Sequence, residues 1–324
     1  MSTTEVNIKI SILVPIYNVE KYIEKCARSL FEQTYDDLEY VFVNDCTPDN
    51  SMSILEKALK DYPNRQPQVK IINHEQNQGI GQTRNTLLDN ATGDYVQFVD
   101  SDDWLELNAT ELLVEEAKRT GAELVRCNNY YHQNNSATGK LNNNVANTTE
   151  AYLKKLIRCE VSSPLWVMLI KRSLFTDNNI RLTPGINVGE DYIVSAKLYY
   201  YARSISHIDE YLYHYIMYNE TRYSQMSVRA IEDHARAVIE VEQFLRRVKA
   251  YEEYKEAIDI RKFAIKRHFL FDESMRDLNR WRQMFPESNY VWKNICITRR
   301  ERIMFHLMTW HLGFLVPLFG EAQT

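Results

Sequence analysis

No CxxC pair occurs in the chain: the five cysteines (Cys26, Cys46, Cys127, Cys159, Cys296) are scattered and odd in number. That sets aside a disulfide framework and a cysteine zinc site, and it fits a reducing cytoplasm. Surplus positive charge is also missing. A formal net charge of −5 over 324 residues argues against a dedicated nucleic-acid binder. The opening stretch MSTTEVNIKI lacks the basic segment and apolar run of a secretory signal. Internal repeats and low-complexity tracts are absent too. Gly79 and Gly81 form a GxG, but the third glycine of the dinucleotide fingerprint is lacking, so they read as a tight turn before a helix.

What the chain does have is the composition of an ordinary globular protein, 44% hydrophobic and 26% charged. Its length allows one large α/β domain with an appended segment, or two modest domains. The acidic excess lies entirely in residues 1–225, because residues 226–324 carry 17 Lys/Arg against 14 Asp/Glu. Strand-like apolar runs alternate with helical spacing. Strands are predicted at 8–14, 39–43, 69–72, 95–99 and 123–127, with helices at 19–31, 52–59, 81–90 and 109–120 between them. Such alternation predicts a mainly parallel, Rossmann-like sheet with flanking helices. Residues 128–147, rich in Asn, Ser, Thr and Gly, read as a loop or a hairpin over the site. A helix follows near 150–158, then the apolar stretch 164–170. A charged helical tract covers 227–285, its period carried by Val238, Val241, Phe244, Leu245 and Val248. The division expected is a catalytic domain at 1–225 and a helical region at 226–324.

Ligands of an open parallel sheet bind beyond the carboxyl ends of its strands. Three polar clusters fall there: Asn44-Asp45, His74 to Gly81, and Asp100-Ser101-Asp102-Asp103. The last is the most telling. Three carboxylates within four positions repel one another, and a divalent cation relieves that repulsion. Mg²⁺ and Mn²⁺ take oxygen ligands, commonly one or two carboxylates plus substrate phosphates. Were the segment extended, Asp100 and Asp102 would face one way and Asp103 the other. The plainer alternative is a solvated acidic turn that caps the next helix.

Five motifs in order, VPIYN (14–18), VNDCTPDNS (43–51), NQGIGQTRN (77–85), GDYVQFVDSDDW (93–104) and GEDY (189–192), resemble the inverting glycosyltransferases of family 2, which have the GT-A fold. The resemblance covers about residues 8–225. It implies a sugar moved from a nucleotide diphosphate donor, a UDP-sugar, to an acceptor hydroxyl of a glycan or lipid-linked oligosaccharide in bacterial surface polysaccharide assembly. It further implies that Pro15, Tyr17 and Asn18 support the nucleotide pocket and that Asp45 accepts hydrogen bonds from the base. Arg84 reaches the base or the diphosphate, and Asp100 and Ser101 meet the nucleotide-sugar. Asp102, with Asp100, holds Mg²⁺ or Mn²⁺. Where the family usually shows Asp-Asp-Gly-Ser, this chain has Asn44-Asp45-Cys46-Thr47, and it has Met168 where the family often has lysine.

In the same way Asp191 is expected as the general base, with Glu190 in support; the plainer alternative is that both merely open a helix at 192–201. Trp166, His214 and Arg222 are weaker candidates on the acceptor or donor side, each with a packing role as the alternative. The rival readings are a sugar nucleotidyltransferase, which would carry a glycine-rich loop after the first strand instead of VPIYN, and a non-catalytic nucleotide-sugar-binding scaffold. The apolar run 303–319, preceded by Arg299, Arg300 and Arg302, is short for a membrane span. It is read as a segment lying in the headgroup layer, which would put the protein on the inner face of the cell membrane, or as a docked helix or a homodimer contact.

Overall fold

The computed structural model describes residues 7–133, 136–140, 146, 148–162, 164–217, 226–294 and 298–318. Arg222 and Cys296 lie outside the described residues. Two compact units divide the chain: Met1–Leu153 with Ser162–Arg222, and Lys154–Val161 with Tyr223–Thr324.

In the first unit the elements run β1 (Ile10–Ile16), α1 (Ile23–Phe31), β2 (Leu38–Asn44), α2 (Ser51–Leu59), β3 (Val69–Asn73), α3 (Gly79–Asn90), β4 (Tyr95–Phe98), β5 (Trp104–Leu105) and α4 (Ala109–Thr120). They continue through β6 (Leu124–Gln133), β7 (Ser136–Lys140), α5 (Thr149–Ile157), β8 (Met168–Lys171), α6 (Ser173–Asp177), α7 (Glu190–Tyr201) and β9 (Ile205–Ile216). β1 and β4 are buried at every position, as strands covered on both faces must be. In α1 the buried residues Ile23, Cys26, Ala27 and Leu30 recur at helical spacing and turn one face to the core.

The sheet order is β3-β2-β1-β4-β8-β6-β9-β5, with β7 paired to β6. β3, β2, β1 and β4 are parallel, as the alternation predicts. Their registers match Ile16 with Asn44 and Asn44 with Asn73, so β1, β2 and β3 end level and their following loops share one edge. Beyond β4 the sheet is mixed: β8 runs antiparallel to both β4 and β6, while β9 is parallel to β6. Residues 128–133 prolong β6, which forms an antiparallel hairpin with β7.

Proline seldom tolerates a central strand because it donates nothing to the ladder. β1 continues through Pro15 all the same. The Leu13 carbonyl accepts from Val99 N–H on the β4 side, and residues two apart in a strand point the same way. The missing N–H of Pro15 thus faces past the last β1–β4 pair, Leu13 with Phe98, where no ladder bond is lost.

The second unit contains α8 (Val228–Arg247), α9 (Tyr251–Lys266), α10 (His268–Phe271), α11 (Leu278–Gln283) and α12 (Arg299–Thr309). Short 3₁₀ turns lie at Glu273–Met275, Pro286–Asn294 and Gly313–Leu318. The expected tract is real but broken: Lys249, at φ 60°, separates α8 from α9. Ser227 caps α8 by accepting from Ala230 N–H, and Thr298 with Glu301 forms a capping box on α12. Among the described residues no helix is long and apolar enough to cross a membrane.

Candidate active site

The level ends of β1 and β2 bring their loops side by side, and side chains of the second bind the backbone of the first. Asn18 N–H donates to Thr47 Oγ1 (2.8 Å), Val19 N–H to Ser51 Oγ (3.1 Å) and Glu20 N–H to Asp49 Oδ2 (2.9 Å). Pro15 is buried beneath this strap, and Tyr17 stands 42% exposed. Asn18 adopts φ 55° and turns the chain; it caps no helix, since α1 opens only at Ile23.

Asp45 is buried. Its Oδ1 accepts from Gln78 N–H (2.8 Å) and faces His74 Nδ1 (2.8 Å), and its Oδ2 accepts from Gly79 N–H (2.9 Å). A carboxylate has roughly four acceptor directions, so about one remains for a further donor. These bonds also satisfy backbone donors at the start of α3, which helix geometry alone leaves open. Gly81, one turn along, allows close packing: a Cβ there would sit 3.2 Å from the Thr183 carbonyl oxygen.

Asp100 to Asp103 form a closed turn, with Asp103 N–H donating to the Asp100 carbonyl at 3.0 Å. The extended geometry expected for the segment does not occur, because β4 ends at Phe98 and the chain reverses at once. Asp103 turns inward and, against the capping alternative, caps nothing: its carboxylate accepts from Tyr213 O–H (2.8 Å) and Ile216 N–H (2.8 Å). The Tyr213 hydroxyl in turn accepts from Asp100 N–H (3.1 Å), so one phenol holds the turn at two points. Ser101 is buried within it.

The negative field of the turn registers on its neighbours. Burial, reinforced by Asp102 and Asp100, drives the Asp103 carboxyl well above the carboxylate range. Burial and then the acids of the turn, Asp103 foremost, raise the Cys26 thiol and the Tyr213 phenol, and lift Tyr215 to about 12. A divalent cation would relieve this field. Among the described residues no three His, Cys, Asp or Glu side chains form a ready cage. The hard oxygens of Asp102 and Asp100 suit Mg²⁺ or Mn²⁺ completed by phosphate and water.

Arg84, 4% exposed on α3, joins this turn to the start of α7. Its Nη2 binds Asp100 Oδ1 (2.9 Å), while Nη1 binds Glu190 Oε1 (3.1 Å) and Asp191 Oδ1 (2.6 Å). Gly189, at φ 91°, makes the sharp entry that sets both acids in the first turn of α7. Burial raises both carboxyls, Glu190 to about 8 with the charge of Asp191 adding; Arg84 opposes the rise in each. Three of the acids singled out in sequence thus meet on the one guanidinium of Arg84. The sequence left open whether Arg84 faced solvent or the site; in the structure it is enclosed.

The other candidates do not bond the Arg84 guanidinium, although Leu165 N–H, beside Trp166, donates to Asp191 at 3.4 Å. Trp166 is 8% exposed and stacks on Tyr213 (4.3 Å) and Tyr215 (5.3 Å). His214 joins a second group, with Nε2 to Glu106 (2.8 Å), Nδ1 to His132 (2.8 Å) and its ring stacked on Trp104 (4.8 Å) and Tyr130 (4.8 Å). Lys25 Nζ lies 2.9 Å from the centre of the Trp104 ring. Tyr213, His132 and Lys25 escaped the sequence reading. The register of β9 against β5 and β6 places Tyr213 and His132, and the packing of α1 on β5 places Lys25; no local motif marks either.

The fold is an α/β one, with its acids at the carboxyl edge of the parallel part of the sheet. The chain belongs to glycosyl transferase family 2, whose model matches residues 11–175, and it is an enzyme of that class. It is 31% identical over 258 residues to EpsH of Bacillus subtilis, covering 77% of this chain and 73% of that protein. The glycosyltransferase EpsJ of the same organism is 29% identical over 346 residues, covering 97% and 96%. Among solved structures, residues 1–349 of S. aureus TarS in complex with UDP-GlcNAc share the fold at a TM-score of 0.70 and 20% identity, covering 96% of this chain and 89% of that one.

Proposed function

We propose that this enzyme transfers a sugar from a UDP-sugar to an acceptor hydroxyl of a glycan or lipid-linked oligosaccharide, with inversion at the anomeric carbon. One observation carries the reading: Arg84 binds the metal candidate Asp100 and the base candidate Asp191 with one guanidinium. The UDP-GlcNAc bound to TarS supports the choice of donor. Asp102 and Asp100 would hold Mg²⁺ or Mn²⁺, which when bound offsets negative charge on a diphosphate.

In the proposed reaction Asp191 takes the proton of the acceptor hydroxyl. That oxygen bonds the anomeric carbon as the carbon–phosphate oxygen bond breaks, and the electron pair leaves with UDP. Burial lifts the Asp191 carboxyl above its ordinary value, which strengthens it as a base, and Arg84 keeps the carboxylate oriented. Glu190 shares the guanidinium and supports it. The strapped loops with Tyr17, Asn18 and Asp45 would receive the nucleotide. Trp166 and His214 are assigned packing roles beside the pocket, and the acidic turn needs Tyr213.

The reading extends to place: the enzyme works in the cytoplasm, at the membrane surface where a lipid-linked acceptor resides. The test is to incubate the purified chain with a panel of nucleotide-sugars and Mn²⁺, measure nucleotide release, and assign the anomeric configuration of the product by NMR. Inverted product from a UDP-sugar is expected; retained configuration would remove the single-displacement role of Asp191. Asp191→Asn should leave donor affinity near wild type and lower turnover roughly a hundred- to ten-thousandfold.

A further inference from the structure

α12 buries one side in the second unit, and the turn after it points large apolar side chains outward. On the inner side Met304, Phe305 and Met308 are buried at 1–3% exposure, and Phe305 packs against Phe263 and Trp281. Just past the end of α12, Trp310, Phe314 and Leu318 stand 66%, 73% and 77% exposed. Ile303 and Leu312 are exposed beside them, while buried Val316 pins the 3₁₀ turn. Large apolar side chains scattered singly need no explanation, but three so close in sequence on a pinned turn mark an interaction surface.

Charge identifies the occupant. From Arg302 to Leu318 the sequence has no acid. The last one before it, Glu301, is engaged by Arg267 and by the capping box. Arg299 and Arg302 are exposed at the start of α12. Arg282 reaches the tip itself: a Cβ added to Gly313, between Leu312 and Phe314, would lie 2.9 Å from its Nη2. An apolar tip with arginines around it, tryptophan included, is what the boundary between headgroups and acyl chains selects. A twofold contact between copies would instead bring two arginine-bearing tips together with no acid between Arg302 and Leu318 to offset them.

We infer that Trp310, Phe314 and Leu318 insert into the surface of an anionic bilayer, with Arg282, Arg299 and Arg302 on lipid phosphates. This rests on the membrane placement proposed above and not on the transfer chemistry. The test is flotation of the full chain with vesicles of phosphatidylglycerol and phosphatidylcholine, or of phosphatidylcholine alone. Donor hydrolysis and molar mass by light scattering are followed in parallel. The wild type should float with the anionic vesicles. The W310S/F314S/L318S variant should lose about a hundredfold or more in partitioning, and R282Q/R299Q/R302Q roughly fivefold for each charge removed, both with donor hydrolysis unchanged. A serine variant that floats like the wild type overturns the tip alone. A wild type that binds neither vesicle overturns the tip and the membrane placement together. A dimer that dissociates in the serine variant, without vesicle binding, assigns the surface to a second copy and also overturns the proposal.

Discussion

Arg84 donates to three carboxylates, one on the acidic turn and two at the start of α7 more than 100 positions away. Removing a partner from such a buried set leaves charge uncompensated, so Arg84→Met should destabilise the fold by about 3–5 kcal/mol. Arg84→Lys keeps the charge but loses the planar fork. It should fold, bind UDP near wild-type affinity and turn over far more slowly. A large fall in UDP affinity with unaltered turnover would return Arg84 to the role of a nucleotide contact. Cys46 makes a separate prediction. It holds φ 58° where the family usually has glycine, and a left-handed conformation costs an L-residue roughly 1–2 kcal/mol. Cys46→Gly should therefore raise the unfolding free energy by about 0.5–1 kcal/mol after the added chain entropy of glycine, read as a higher urea midpoint. A lower midpoint would mean that the exposed Cys46 side chain stabilises its turn. At this scale the acids were legible because like charges crowd together in FVDSDDW. The enclosure of Arg84 and the two bonds of Tyr213 were not, since their partners come from remote segments.

Among the helices, α9 carries the clearest titrating group. Lys266 is fully buried, donates to the carbonyls of Met284 (2.9 Å) and Phe285 (3.1 Å), and lies 4.6 Å from the centre of the Trp281 ring. Burial lowers its ammonium from 10.5 to about 8. Between those two values the unfolded chain binds the proton that the folded chain has released, so stability rises with pH across that window. Thermal melts of wild type and Lys266→Met should converge or cross in that direction as pH increases; a pH-independent difference would place the charged form in the native state. The elements themselves were largely legible: β1, β2 and β4 are apolar runs between helical periods. Their neighbours were not. β8 is four residues long, and its place between β4 and β6 is decided by pairing across the sheet.

For the whole molecule, chelation with EDTA should abolish sugar transfer and added Mn²⁺ should restore it. Full turnover in EDTA would free Asp102 and Asp100 from the metal role. The organisation of the chain carries its own consequence. Residues 154–161, the end of α5 and the few residues beyond it, belong to the second unit, and Arg261 on α9 donates to the Leu156 carbonyl at 2.9 Å. The ribosome therefore delivers one piece of that unit long before its remaining helices. The Leu156 carbonyl gains its Arg261 partner only after a further 105 residues have been made, so this unit closes late in synthesis.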